Sequence, residues 1–179
     1  MVYVFLAGGF EEIEALTTVD LLRRAEIQVK TVSIMEDKLV YGAHDVGVEA
    51  DILFKEGLYD RCAMLILPGG MPGTENLCNH RELNEELKDF YAAGKPVAAI
   101  CAAPMVLGRA GLLEGHTATI YEGMEDELAG AVHSSQKVVV SGNVITSKGP
   151  GTAMDFALAL IAYLKGDEKA EEIKKELLY

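Results

Sequence analysis

Cys101 closes a short apolar run, Val97-Ala98-Ala99-Ile100, and Ala102, Ala103 and Pro104 follow at once. A buried strand that ends on a nucleophile, turns sharply and leaves as a helix has this shape. Ala99 and Ala103, two positions to either side, are small enough to let strand and helix approach closely. A thiol near a helix N-terminus is expected to lose its proton readily, because the peptide dipoles there favour negative charge. The same residues also read as ordinary core, since cysteine is among the most buried residue types. Glu11 and Glu14 lie three apart at the start of the first helix and share a face. A carboxyl at Glu14, desolvated over the strand tips, would give or take a proton at Cys101. From spacing alone the better reading is a solvated acidic first turn that complements the helix dipole. Pro68-Gly69-Gly70 breaks another apolar run. Its backbone N–H groups, with that of Ala102, would form an oxyanion hole, or the glycines serve a plain tight turn.

The other candidates carry less. Ser147-Lys148-Gly149-Pro150-Gly151-Thr152 has the composition of a phosphate-cradling loop but not the Gly-x-x-x-x-Gly-Lys-Ser/Thr order. It reads as a shaped loop entering a helix capped by Thr152, with Asp155 three residues on. None of the four histidines follows Cys101 closely enough to pair with it by sequence alone. His116 precedes the strand Thr117–Tyr121 and so sits at its wrong end, while Tyr121 occupies the far end. His80 and His133 read as surface positions. Cys62 and Cys78 have no visible base or helix start beside them and are taken as structural.

Elements that position these groups alternate along the chain. Strands are expected at Val2–Leu6, Val29–Ile34, Ala63–Leu67 and Val97–Ile100, with a weaker one at Thr117–Tyr121 and a pair at Val138–Val140 and Val144–Thr146. Lys38–Asp51 reads as a hairpin about Gly42. Helices are expected over 11–25, with Ala15, Leu16, Val19 and Leu22 on one face, over 82–93, from the elbow to about 110, over 122–129, to about 165, and over 167–177. Continuous apolar strands imply cover on both faces, and strand–helix alternation implies right-handed crossovers. The expected fold is one α/β domain spanning 1–179, a three-layer sandwich with a mostly parallel central sheet. Ligands in such sheets bind at the carboxyl ends of the strands. Gly8-Gly9, Pro68-Gly70, Cys101 and Ser147–Gly151 all fall there.

Bulk properties narrow the partners. The 179 residues carry a formal charge of −12 and no basic stripe, which disfavours nucleic acid and anionic membrane. Three cysteines without metal-ligand spacing make neither a disulfide framework nor a zinc site, and fit a reducing compartment. No apolar run approaches the ~18–20 residues of a membrane span. Met1–Leu6 lacks a basic region and reads as a first strand, so a cytoplasmic location is expected.

Together these segments resemble the ThiJ/PfpI superfamily, and within it the DJ-one branch. The matching stretches are Leu6–Leu16 (Leu-Ala-Gly-Gly-Phe-Glu-Glu-Ile-Glu-Ala-Leu), Val19–Ala25, Leu67–Leu77 (Leu-Pro-Gly-Gly-Met-Pro-Gly-Thr-Glu-Asn-Leu), Ala98–Pro104 and Thr146–Ala157. The resemblance implies a flavodoxin-like fold of the class I glutamine amidotransferase type and a homodimer. It implies Cys101 as nucleophile, Glu14 as the acid that hydrogen-bonds it, and Gly69, Gly70 and Ala102 as the backbone donors. The superfamily's histidine, where present, lies at the tip of the strand after the elbow helix. Aligning Gly111-Leu112-Leu113 and Thr117-Ala118-Thr119 puts Tyr121 there, so a Cys–His–acid triad and peptidase activity are not expected. Tyr121 remains a candidate to orient a substrate hydroxyl. In similar proteins the early hairpin approaches the partner subunit's site, which makes His44 a second candidate contact. The activity implied is glutathione-independent glyoxalase or deglycase chemistry on small oxoaldehydes or glycated substrates, with no cofactor or metal. The alternative is a redox sensor or stress chaperone acting through oxidation of Cys101.

Overall fold

A computed structural model describes the whole chain, Met1–Tyr179. The apolar runs form strands β1 (Val2–Leu6), β6 (Met64–Leu67) and β7 (Val97–Ile100), buried at every position. With β2 (Val29–Ser33), the short β5 (Ile52–Leu53), β10 (Val138–Ser141) and β11 (Val144–Ser147) they make one seven-stranded sheet, ordered β10-β11-β7-β6-β1-β2-β5. Every neighbouring pair is parallel except the β10–β11 hairpin. Alternate strand residues feed two cores. Tyr3, Phe5, Leu65, Leu67 and Ala99 pack with Leu77, Leu83, Leu87 and Leu107 from α2 (Gly73–Asn79), α3 (Arg81–Ala92) and α4 (Pro104–Arg109). Val4, Ile66, Ala98 and Ile100 pack on the other face with Leu22, Phe156, Leu160 and Ile173 from α1 (Glu12–Arg24), α5 (Ala153–Lys165) and α6 (Asp167–Glu176). The result is the expected three-layer α/β sandwich. No helix is long and apolar enough to cross a membrane.

Register fixes where the site must be. Val4 pairs with Ile66, Leu67 with Ala99, and Ser147 with Ile100. The carboxyl ends of β1, β6, β7 and β11 therefore reach one edge together, and the segments after them meet there. A separate hairpin, β3 (Leu39–Tyr41) with β4 (Gly47–Glu49), stands apart from the sheet.

Several local expectations fail, each for a visible reason. Only Thr117–Ala118 of the expected Thr117–Tyr121 strand forms (β8), and it pairs with β9 (Val132–His133). The next N–H, of Thr119, donates to the Thr146 hydroxyl at 2.9 Å and not to a strand carbonyl. Over 122–129 a single 3₁₀ turn, Glu125–Glu127, replaces the expected helix. Gly123 at φ 88° breaks the chain in the left-handed region. Thr152 does not cap α5; its hydroxyl donates to the Gly149 carbonyl at 2.8 Å, and Asp155 pairs with Lys137 at 3.2 Å. On α1, Leu16 is 38% exposed beside Ile13, and Thr18 and Leu21 take the buried positions instead. Helix α2 was hidden because Gly73, Thr74 and Asn79 are poor helix formers. His80 is no bland surface residue: its Nδ1 accepts the Leu83 N–H at 3.0 Å and caps α3, while its ring packs 4.7 Å from Phe54.

Candidate active site

Cys101 leaves β7 with φ 63°, a left-handed conformation that a side chain rarely adopts. Such a residue costs on the order of 1–3 kcal/mol and persists only where neighbours hold it. Here its N–H donates to the Ser147 carbonyl at 2.9 Å, and its carbonyl accepts the Tyr121 N–H at 2.8 Å. Ala99 and Ala103 are fully buried, as close strand–helix approach requires. The elbow is therefore present, but α4 begins only at Pro104, three residues beyond the sulfur.

Glu14 comes from the first turns of α1 and is completely buried. Its Oε2 accepts the Gly69 N–H at 2.8 Å. Its Oε1 is buried without a hydrogen-bond partner of ordinary geometry. The carboxyl also hydrogen-bonds the Cys101 side chain. Burial pushes the Glu14 carboxyl up to about 7, partly offset by hydrogen bonding to Cys101 and to the Gly69 N–H, while the charge of Glu11 pushes it further up. Burial, then the Glu14 carboxylate, pushes the Cys101 thiol up to about 12, against the pull of the Ala102 and Gly70 N–H groups. The expected acidic thiol is thus corrected. Desolvation and a facing carboxylate outweigh the distant helix end. Between those two values the pair holds one proton, shared by a carboxyl and a sulfur.

Gly69 is also corrected. Its N–H is committed to Glu14 and cannot serve an oxyanion. The donors left over the sulfur are Gly70, at φ 89°, and Ala102, neither of which gives its N–H to a backbone carbonyl. Gly69 acts instead as a spacer. A Cβ there would lie 2.7 Å from the Cys101 Cβ, 2.8 Å from Glu14 Oε2 and 2.8 Å from the Ile100 carbonyl. Gly69→Ala is expected to destabilise the fold by about 1–3 kcal/mol. An unchanged urea midpoint would show that close approach of the two strand tips does not constrain this position.

Tyr121 lies three residues beyond the end of β8, not at a strand tip. Its backbone is tied to Cys101, its side chain is 50% exposed, and its ring lies against Gly149. His44 makes no hydrogen bond to Cys101 or Glu14. Its ring Nδ1 lies 2.9 Å from Glu12 Oε2 and 3.7 Å from Glu11 Oε2. The hydrogen bond to Glu12, then the charges of Glu11 and Glu12, raise its proton affinity. His116 is at the opposite sheet edge, between Tyr91 (2.8 Å) and Ser141 (3.1 Å). Cys62 is buried, with its thiol donating to the Met64 carbonyl at 3.2 Å.

A family model described as the DJ-1/PfpI family matches residues 1–163. Protein dj-1beta of Drosophila melanogaster is 36% identical over 98% of this chain and 95% of its own length. The chain belongs to the DJ-1/PfpI family. Two Arabidopsis thaliana relatives, DJ-1 homologs B and A, are 36% and 37% identical, and the chain spans only 41% and 45% of their lengths. Among solved structures, oxidized Toxoplasma gondii DJ-1 superposes with a TM-score of 0.95 at 38% identity, covering 99% of this chain and 97% of that one. Drosophila DJ-1beta gives 0.93 at 36% identity, covering 99% and 96%. The DJ-1/PfpI resemblance read from the motifs therefore holds over nearly the whole chain, fold included. The pairing of Glu11 and Glu12 with His44 was not foreseen, since 32 residues separate Glu12 from His44.

Proposed function

We propose that this DJ-1/PfpI chain converts small oxoaldehydes such as methylglyoxal to hydroxy acids without glutathione, with Cys101 as nucleophile and Glu14 as proton carrier. What supports the reading is the Glu14 carboxyl, fully buried at the sheet edge, held by the Gly69 N–H and hydrogen-bonded to Cys101. Above about pH 7 Glu14 takes the thiol proton as the sulfur bonds to the aldehyde carbon. The carbonyl π electrons move to oxygen, where the Gly70 and Ala102 N–H groups meet the developing charge. Glu14 returns its proton to that oxygen, giving a hemithioacetal. The carboxylate then removes the remaining hydrogen of the aldehyde carbon and delivers it to the adjacent carbonyl carbon, while the hydroxyl proton passes to that carbon's oxygen. The aldehyde carbon is oxidised to a thioester and its neighbour reduced to an alcohol, so no outside redox partner is needed. Water cleaves the thioester, releasing lactate and the thiol. Tyr121, half-exposed near the elbow, would orient a substrate hydroxyl. The same attack on glycated amines gives the deglycase variant.

A second reading has its own support. The two free N–H groups and a protonated Glu14 would also hold a sulfinate after peroxide oxidation of Cys101. Incubating the protein with methylglyoxal, a chelator and no glutathione is expected to yield lactate in step with aldehyde loss. Absence of lactate, with two oxygens added to Cys101 by mild peroxide before Cys62 or Cys78, would favour the sensor over the enzyme. Absence of both would sink the two together.

A further inference from the structure

The loop Ser147–Thr152 has the composition of an anion cradle, and the proposed reaction leaves it without a task. The fold sets it beside the elbow. Ser147 closes β11 opposite Ile100, and its carbonyl accepts the Cys101 N–H at 2.9 Å. Lys148, the next residue, therefore leaves the sheet alongside Cys101, where neighbouring strands run ~4.8 Å apart. The loop is fixed from within. Thr152 Oγ1 stands 2.7 Å from Ser147 Oγ and accepts the Gly149 N–H at 3.1 Å, and the Lys148 N–H donates to the Lys137 carbonyl at 3.2 Å. The Tyr121 ring lies against it, and Gly149 permits the contact, since a Cβ there would come 3.3 Å from that ring. A cavity of about 390 Å³ opens here, walled by Tyr121, Glu122, Lys137, Lys148 and the turn after them, Gly149–Thr152. Its charged groups differ in what they already hold. Lys137 is taken by Asp155 at 3.2 Å. Glu122 is exposed to solvent. Glu125 feels the charge of Lys148 from beyond ion-pair distance, and its carboxylate accepts the Gly123 N–H at 3.0 Å. Lys148 is half-buried and, unlike Lys38, Lys137 and Lys169, has no carboxylate within 4.0 Å. A half-buried ammonium without a counter-ion has lost hydration that a bound anion would replace.

We propose that Lys148 is a specificity residue, selecting aldehydes that carry an acidic group, a carboxylate or a phosphate, at the end away from the carbonyl. The inference rests on Cys101 taking the aldehyde carbon. With that carbon at the sulfur, the acidic group meets the Lys148 ammonium, and the chain between them lies against the Tyr121 ring. An ammonium binds as a compact point charge, so both anions suit it. A contact this far from the reacting atoms anchors the substrate without entering the chemistry. It also supplies one local attraction for an anion in a chain whose formal charge is −12. Methylglyoxal, which has no such group, forgoes it.

The test needs no turnover. Aldehydes are scored by how far they slow alkylation of Cys101 by iodoacetamide, read by peptide mass spectrometry. Each protects by forming a reversible hemithioacetal, in which sulfur bonds to the aldehyde carbon and the thiol proton passes to its oxygen. Two matched pairs are compared: succinic semialdehyde with butanal, and glyceraldehyde 3-phosphate with glyceraldehyde. In at least one pair the acidic member is expected to protect at about tenfold lower concentration, the scale of a hydrogen bond to a charged group. The pair that shows the preference identifies the anion. Lys148→Met should lose the preference, Lys148→Arg should keep it, and added salt should narrow it. Equal protection within both pairs, or a preference that Lys148→Met leaves intact, overturns the inference while Cys101 still stands as the group that takes aldehydes. If none of the four aldehydes protects, and methylglyoxal does not either, the reading of Cys101 falls and the inference falls with it.

Discussion

Cys101→Ala is expected to lower methylglyoxal turnover by about 10⁴-fold or more, to the buffer rate. No other sulfur can replace it. Cys62 is sealed in the first core and donates to a carbonyl. Burial raises its thiol and that of Cys78, and Cys78 sits beside Arg109, Glu75 and Glu127, away from Glu14. Cys62→Ala and Cys78→Ala should therefore keep the rate, apart from any loss of stability. The fold should survive Cys101→Ala, because the elbow is held by main-chain bonds to Ser147 and Tyr121. Circular dichroism and urea unfolding separate the two effects. A Cys101→Ala protein that is folded and still turns over at the parent rate removes the nucleophile from the proposal.

How far the sequence leads here depends on the range of the interactions. The central strands are legible because both their faces are apolar, so Val2–Leu6, Met64–Leu67 and Val97–Ile100 stand out as runs. Cys101 is legible because its small neighbours are consecutive. The protonation of the site is not legible, because it is set by groups far apart in the chain. A helix dipole can be read locally, but the burial and carboxylate that push the thiol the other way come from α1, over eighty residues earlier. Gly69 shows the same limit. Its glycine suits both an oxyanion donor and a spacer, and only the Glu14 contact decides. Likewise the Glu11–Glu12–His44 cluster depends on where a hairpin tip lands. Failures at 117–121 and 122–129 are of another kind: side-chain hydroxyls and a left-handed glycine redirect short segments whose strand or helix signal is weak.

Glu14→Gln is expected to reduce turnover by about 10²–10⁴-fold, the usual range for a positioned acid–base group. The amide oxygen can still accept the Gly69 N–H, so the strand tips stay in place while proton transfer is lost. Two pH measurements separate this from a structural defect, both made with a chelator present. Parent kcat/KM should climb as pH rises through about 7, where Glu14 becomes a base, and then level off. In Glu14→Gln the climb should move to the alkaline side, since the sulfur must then lose its proton to solvent. Stability gives the second test. Glu14 binds its proton more tightly in the folded chain, at about 7, than at the ordinary value of 4.5. Its contribution is therefore full below 4.5 and is lost as pH rises to about 7. The loss is on the order of 3 kcal/mol. In Glu14→Gln that fall should vanish, leaving unfolding free energy flatter between pH 4.5 and 7. A glutamine variant with the parent's pH–rate curve would mean that the proton travels by another route and that Glu14 only fills space beneath the elbow.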